Sequence, residues 1–105
     1  MAKLFTDARE FTSSMAWGAR ALCEVQGASV RLHWTDEPYK WHVNDAPEVF
    51  VVLDRQIEMS YRSGGSERKV LLETGHIFVT EVGDEHMACP IDAARVLVVE
   101  HSRSH

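Results

Sequence analysis

Two stretches of this chain place polar, chemistry-bearing side chains inside runs that otherwise read as buried strand. In the first, Trp41-His42-Val43-Asn44-Asp45-Ala46-Pro47-Glu48 leads directly into Val49-Phe50-Val51-Val52-Leu53. In the second, Ile77-Phe78-Val79-Thr80 leads into Glu81-Val82-Gly83-Asp84-Glu85-His86. A polar group buried among apolar neighbours costs folding free energy unless something satisfies it. Two imidazoles, His42 and His86, and one carboxylate, Glu48, that a small barrel could bring together must be satisfied by one another or by a bound species. Either answer makes a site.

Strand alternation sets which side chains share a face. His42 and Asn44 lie two apart and point the same way, and if His42 faces the interior then Glu48, Phe50 and Val52 follow it inward. Val49 and Val51 then face outward, where the outer surface of a central strand needs cover.

The elements that must hold these residues are short and regularly punctuated. Thr6 to Phe11 reads as one short helix capped by Thr6, too short to stand alone. Ala19–Gln26 and Ser29–Trp34 read as a hairpin turning at Gly27-Ala28, the second strand alternating at period two. Tyr39–Asn44 is extended, Asp45-Ala46-Pro47 turns, and Glu48–Leu53 is a strand apolar on both faces. Gln56–Arg62 and Arg68–Leu72 flank the hairpin turn Ser63-Gly64-Gly65-Ser66. Ile77–Thr80, Met87–Cys89 and Arg95–His101 complete the set. Many short strands separated by Gly and Pro predict an all-β sandwich or barrel in one domain over 1–105, its core about 19–101.

Composition narrows the partners. At 105 residues with 45% apolar content the chain affords one modest core. The net charge of −5 comes from scattered acids, and no Lys/Arg cluster marks a face, which argues against nucleic acid and anionic membranes. Apolar runs of about five residues are far short of a membrane span, and the N-terminus lacks the pattern of an export signal. A cytoplasmic protein is expected. Cys23 and Cys89, without Cys-x-x-Cys spacing, read as reduced, small buried hydrophobes.

The two polar blocks resemble the two motifs of the cupin superfamily. That family's first motif runs Gly, five residues, His-x-His, three or four residues, Glu, six residues, Gly. His42, Asn44 and Glu48 fall at those offsets, with Asn44 replacing the second histidine and Asp36 and Arg55 replacing the glycines. The second motif runs Gly, five residues, Pro-x-Gly, two residues, His, three residues, Asn. Gly75, Gly83 and His86 match it, with Glu81 and Pro90 at the departures. The similarity covers about Val30 to Glu100. It implies a jelly-roll barrel (a double-stranded β-helix) of two antiparallel sheets preceded by a short irregular or helical segment.

The resemblance also implies a ligand set. His42, Glu48 and His86 are the retained metal ligands, with Asn44 at the fourth position, and two imidazoles plus one carboxylate make a facial site that holds Fe(II), Mn(II), Ni(II) or Zn(II) with positions left open. Asn44, Phe50 and Trp41 are the expected ligand-pocket residues. His33 and His76 are weaker candidates for the pocket, while His101 and His105 lie at the C-terminal end. Three functions fit such a barrel. One is a metal-dependent enzyme of isomerase, dioxygenase or decarboxylase type; another is a metal-free receptor for a small metabolite; the third is a degenerate barrel serving as a dimer-forming unit. No helix-turn-helix segment accompanies the barrel, which disfavours a transcription regulator. The outward Val49 and Val51 predict a homodimer, with Phe5, Phe11, Met15 and Trp17 of the N-terminal segment helping to cover that face.

Overall fold

Period-two alternation and tight turns generate seven antiparallel strands. The computed structural model describes residues 1–101. Its strands are β1 (Gly18–Val25), β2 (Ala28–Thr35), β3 (His42–Val43), β4 (Glu48–Ser63), β5 (Ser66–Leu72), β6 (Ile77–Thr80) and β7 (Glu85–His101). The β4–β5 hairpin turns on Gly64 and Gly65, at φ 62° and 83°, the pair of positive φ values that a two-residue turn matched to strand twist requires. The β1–β2 hairpin turns one residue earlier than the sequence suggests, on Gln26 and Gly27, again both at positive φ.

Two long strands replace four expected short ones. Glu48–Leu53 and Gln56–Arg62 are halves of β4, and Met87–Cys89 and Arg95–His101 are halves of β7. The residues that read as breaks are bulges: Arg55 (φ 67°) and Asp92 (φ 59°) sit in the left-handed region where the β4–β7 register shifts. A bulge bends and twists a strand without ending it. Pro90 is tolerated inside β7 because β7 there pairs with β4 alone, leaving an open edge.

β4 and β7 pair from Glu48↔Glu100 to Arg62↔Glu85. Around this ladder the order is β1-β2-β7-β4-β5, with β6 on the first half of β4 and β3 on the start of β7. Hydrogen bonding is thus continuous, and the two antiparallel sheets of the expected jelly roll are the two halves of one bent sheet. The bulges fold the sheet onto itself to make the two layers of a jelly-roll barrel. Phe50, Val52, Ala94, Val96 and Val98 from one layer pack against Ile57, Met59, Leu72 and Ala88 from the other. Burial of Glu48, Phe50 and Val52, with Val49 and Val51 only half-buried, matches the alternation read from sequence.

The expected N-terminal helix is a single 3-10 turn at Ala8–Glu10, with no side-chain cap. Tertiary contacts hold the segment instead: Arg9 pairs with Asp54 at 3.1 Å, Arg20 with Asp7 at 3.3 Å, and Arg95 Nε donates to the Phe11 carbonyl at 2.7 Å. Cys23 is exposed on the edge strand β1 rather than buried, and Cys89 is half-buried; both are free thiols. Among the described residues no helix is long and apolar enough to cross a membrane.

Ile57 is fully buried on β4 just past the bulge, where both layers meet. Ile57→Ala should cost about 2–5 kcal/mol, the range for truncating a buried aliphatic side chain. Urea unfolding measures it, and a change under about 1 kcal/mol would mean the barrel collapses around the cavity.

Candidate functional site

The sheet brings the polar residues together at one end of the barrel. β3 pairs with β7 so that His42 lies directly opposite His86, and the barrel fold sets Glu48, from the start of β4 in the other layer, against them. His86 Nε2 is 3.1 Å from Glu48 Oε1, and the His42 and His86 rings meet edge to face at 4.1 Å. One donor atom from each of the three residues lies within 4.8 Å of the others. Glu48 and His86 are buried and His42 is half-buried.

These side chains border a cavity of 190 Å³. Its apolar wall comprises Phe50, Ala88 and Val98, and Trp17 and Tyr39 line it further out. Trp17 donates its indole N–H to the Glu37 carbonyl at 2.9 Å, and a run of edge-to-face contacts leads from Trp17 through Tyr39 to His42. Arg31 and His33 of β2 and Glu100 of β7 supply the remaining polar lining. Glu100 carries a sequence signal like that of Glu48, an acid near one end of an apolar strand and in step with its inward residues, here Val96 and Val98. Trp17 and Tyr39 carry none, since they lie outside the strands and reach the cavity through tertiary folding.

Two expected pocket residues face elsewhere. Asn44 is buried, but it is absent from the cavity lining. Its amide Nδ2 donates to Thr80 Oγ1 at 2.6 Å and to the Ala46 carbonyl at 3.3 Å, and its backbone bonds to Asp84 and Gly83. The strand carrying His42 ends at Val43, so simple alternation does not extend to Asn44. Asn44 therefore fastens the Gly83-Asp84 turn that precedes His86. Trp41 is likewise absent from the lining; the Arg62 guanidinium lies 3.9 Å from its ring centre. Phe50 does line the cavity. His76 lies at a separate open hollow with Arg55 and Asp92, its Nδ1 accepting from the Glu73 N–H at 3.0 Å, and His105 lies outside the described residues.

The site's electrostatics follow from burial and pairing. Burial, and then the neighbouring His86, keep His42 below the ordinary imidazole range. Its Nδ1 lies 3.2 Å from the Lys40 carbonyl, which can only accept, so the neutral ring carries its proton on Nδ1 and keeps a lone pair on Nε2. Burial also lowers His33, whose Nδ1–H is fixed in the same way on the Trp17 carbonyl at 3.1 Å. Burial pushes Glu100 up to about 8, helped by its hydrogen bond to Glu48 and the charge there. For Glu48 burial works in the same direction, but the hydrogen bonds from His86 and Glu100 outweigh it and hold the carboxylate below its ordinary value. The two acids thus share one proton, on Glu100.

No family model and no curated protein matches the chain. Solved structures do. A cupin-2 domain protein from Shewanella frigidimarina superposes with a TM-score of 0.75 at 21% identity, over 85% of this chain and 84% of that one. The chain has the cupin fold. Two hydroquinone 1,2-dioxygenases also superpose on it. The first, from Sphingomonas with 4-hydroxybenzoate bound, has a TM-score of 0.75 at 20% identity; the second, in complex with Fe3+, has 0.76 at 15%. They cover 85% and 86% of this chain, which spans only 28% and 29% of theirs.

The donor types of this cupin barrel, two imidazoles and one carboxylate, suit a transition metal; the Glu48–His86 pair has the spacing for one, and the His42 donor lies within 4.8 Å of both. Two ligand atoms each about 2.1 Å from an ion at right angles lie about 3.0 Å apart, close to the His86–Glu48 separation. His42 has the carbonyl partner that orients metal-binding imidazoles, whereas His86 Nδ1 is buried without a hydrogen-bond partner.

The Glu48–Glu100 pair gives a pH signature in chelated protein. Unfolded, Glu100 titrates near 4.5; folded, it keeps its proton to about 8. Across that window the folded state holds the extra proton, so the contribution of this group to stability falls as pH rises. Glu100→Gln retains a donor toward Glu48 and should melt higher than the parent at pH 8, with the difference shrinking toward pH 5. Parallel melting curves across pH would contradict the shared proton.

Proposed function

We propose that this chain is a small metal-binding cupin that holds a divalent transition metal on His42, Glu48 and His86 and a small-molecule ligand in the adjoining cavity. The convergence of two imidazoles and one carboxylate beside a cavity with an apolar wall carries the reading. A metal in such a site supplies Lewis acidity and open coordination positions for an oxygen-bearing ligand. The chain's own residues would do the rest. Phe50, Ala88 and Val98 exclude water from one side, Glu100 holds a proton beside Glu48, and the lone pair on His33 Nε2 is available to accept one. Fe3+ in one dioxygenase of the same fold and 4-hydroxybenzoate in another support the metal and ligand classes, while reaction type stays open among isomerase, dioxygenase and decarboxylase chemistry. The two free thiols suit a reducing, cytoplasmic setting.

Calorimetric titration with Mn(II), Fe(II) and Zn(II) tests the centre. The parent should bind, and His42→Ala should weaken binding by about tenfold or more, at least the scale seen when only an outer partner of a ligand is lost. Asn44→His should bring no gain, because Asn44 is turned to Thr80. A parent that binds none of the three ions would leave the hydrogen-bonded cluster of a metal-free receptor.

The same barrel carries an apolar outer face suited to a second copy. Register puts Val49 beside Val79 and Val99, and Val51 beside Ile77 and Leu97, on one surface that reaches Val30 of β2. Ile77 and Val79 are 63% and 59% exposed. The hydrogen bonds of the N-terminal segment run to Asp54, Arg95 and Arg20. An exposed apolar face of this kind can be covered by the same face of a second copy about a two-fold axis. Sedimentation at micromolar concentration should show a homodimer, and Val79→Lys should give a folded monomer; a monomeric parent rejects the proposal.

A further inference from the structure

The cavity lining contains one arginine or lysine, Arg31. Arg31 pairs with Val98 across β2 and β7, and both residues face the cavity. The other half-buried arginines among the described residues each hold a carboxylate: Arg20 on Asp7, Arg62 on Glu85 and Glu67, and Arg95 on Asp54 at 2.7 Å. The Arg31 guanidinium has no such partner and makes no side-chain hydrogen bond among the described residues. The acid that would serve, Glu100, shares the cavity but lies opposite Glu48 across β4 and β7, and no ion pair joins it to Arg31 among the described residues. Arg31 acts on Glu100 and His33 through space without being bonded to either.

A half-buried guanidinium gives up part of its hydration and offers a planar fork of N–H donors. A carboxylate matches that fork in shape and charge, and charge-assisted bonds of this kind are stronger than neutral ones. Phe50 and Val98 supply an apolar wall, and His42, Glu48 and His86 border the same space.

We propose that Arg31 anchors the carboxylate of a small organic acid whose apolar body lies against Phe50 and Val98 and whose remaining polar end faces His42, Glu48 and His86. This rests on the reading of the cavity as a ligand site beside a metal centre, and it names the class of ligand. It makes Arg31 the residue that selects anions over neutral molecules of the same shape.

Benzoate and benzamide, equal in shape and unequal in charge, are suitable probes. Titrated into chelator-treated protein and followed by the Trp17 indole N–H resonance, benzoate should bind about tenfold or more tighter than benzamide. Arg31→Gln should remove most of that advantage, weakening benzoate far more than benzamide, and its thermal melt shows that the variant is folded; Arg31→Lys should keep part of the advantage. Equal binding of the two probes, no binding of either, or loss of both alike in Arg31→Gln would overturn the inference. Repeating the titrations with Zn(II) separates this result from that for the metal. Benzoate binding that requires Zn(II) and ignores Arg31→Gln leaves the metal centre standing and removes the arginine anchor. Arg31-dependent binding in protein that takes up no metal does the reverse.

Discussion

The ladder between β4 and β7 is the interaction on which the rest of the molecule depends. It runs from Glu48↔Glu100 to Arg62↔Glu85, and every other strand except β1 pairs with one of these two. A flat sheet of this length would leave one apolar face in water. The bulges at Arg55 and Asp92 bend both long strands in the same region, and the layers so formed close on Val52, Ile57, Met59 and Val96. Left-handed backbone at two non-glycine residues is a local cost, offset by the core that the bend creates.

The candidate site is a consequence of that bend. Glu48 and Glu100 lie opposite each other in one layer and His86 lies opposite His42 in the other, so the four polar groups face one another only when the layers close. Strand pairing sets the two acids side by side, and closure leaves them in a poorly hydrated space. They cannot both ionise cheaply there, and one proton stays on Glu100 while Glu48 takes the bond from His86. Glu100 lies opposite Glu48 and makes no ion pair with Arg31 among the described residues, so the closed barrel leaves a cation facing the cavity.

Asn44 and Trp41 show how motif position and spatial role diverge. Both lie within two residues of His42, yet Asn44 is spent on Thr80 and on the turn before His86, and Trp41 is covered by Arg62. Asn44 ties the end of β3 to β6 and to the turn before β7, and Trp41 packs on Arg62 of β4. In the reverse case, Trp17 and Tyr39 stand far from either polar block in sequence and line the cavity through the packing of loop and N-terminal segment.

Strand alternation, turn residues and the unusual polar interruptions are local properties, and the sequence alone was enough to determine the all-β architecture, the Gly64-Gly65 turn, the inward set Glu48, Phe50 and Val52, and the candidacy of His42, Glu48 and His86. Local patterns carry no information about what lies across the barrel. Whether Arg55 and Asp92 end a strand or bend it depends on a ladder partner more than thirty residues away, and the partner that Asn44 takes depends on where Thr80 falls. Likewise, the protonation of Glu100 follows from facing Glu48, fifty-two residues earlier in the chain. Those outcomes belong to the tertiary structure because each is set by distances between segments that only the closed barrel brings together.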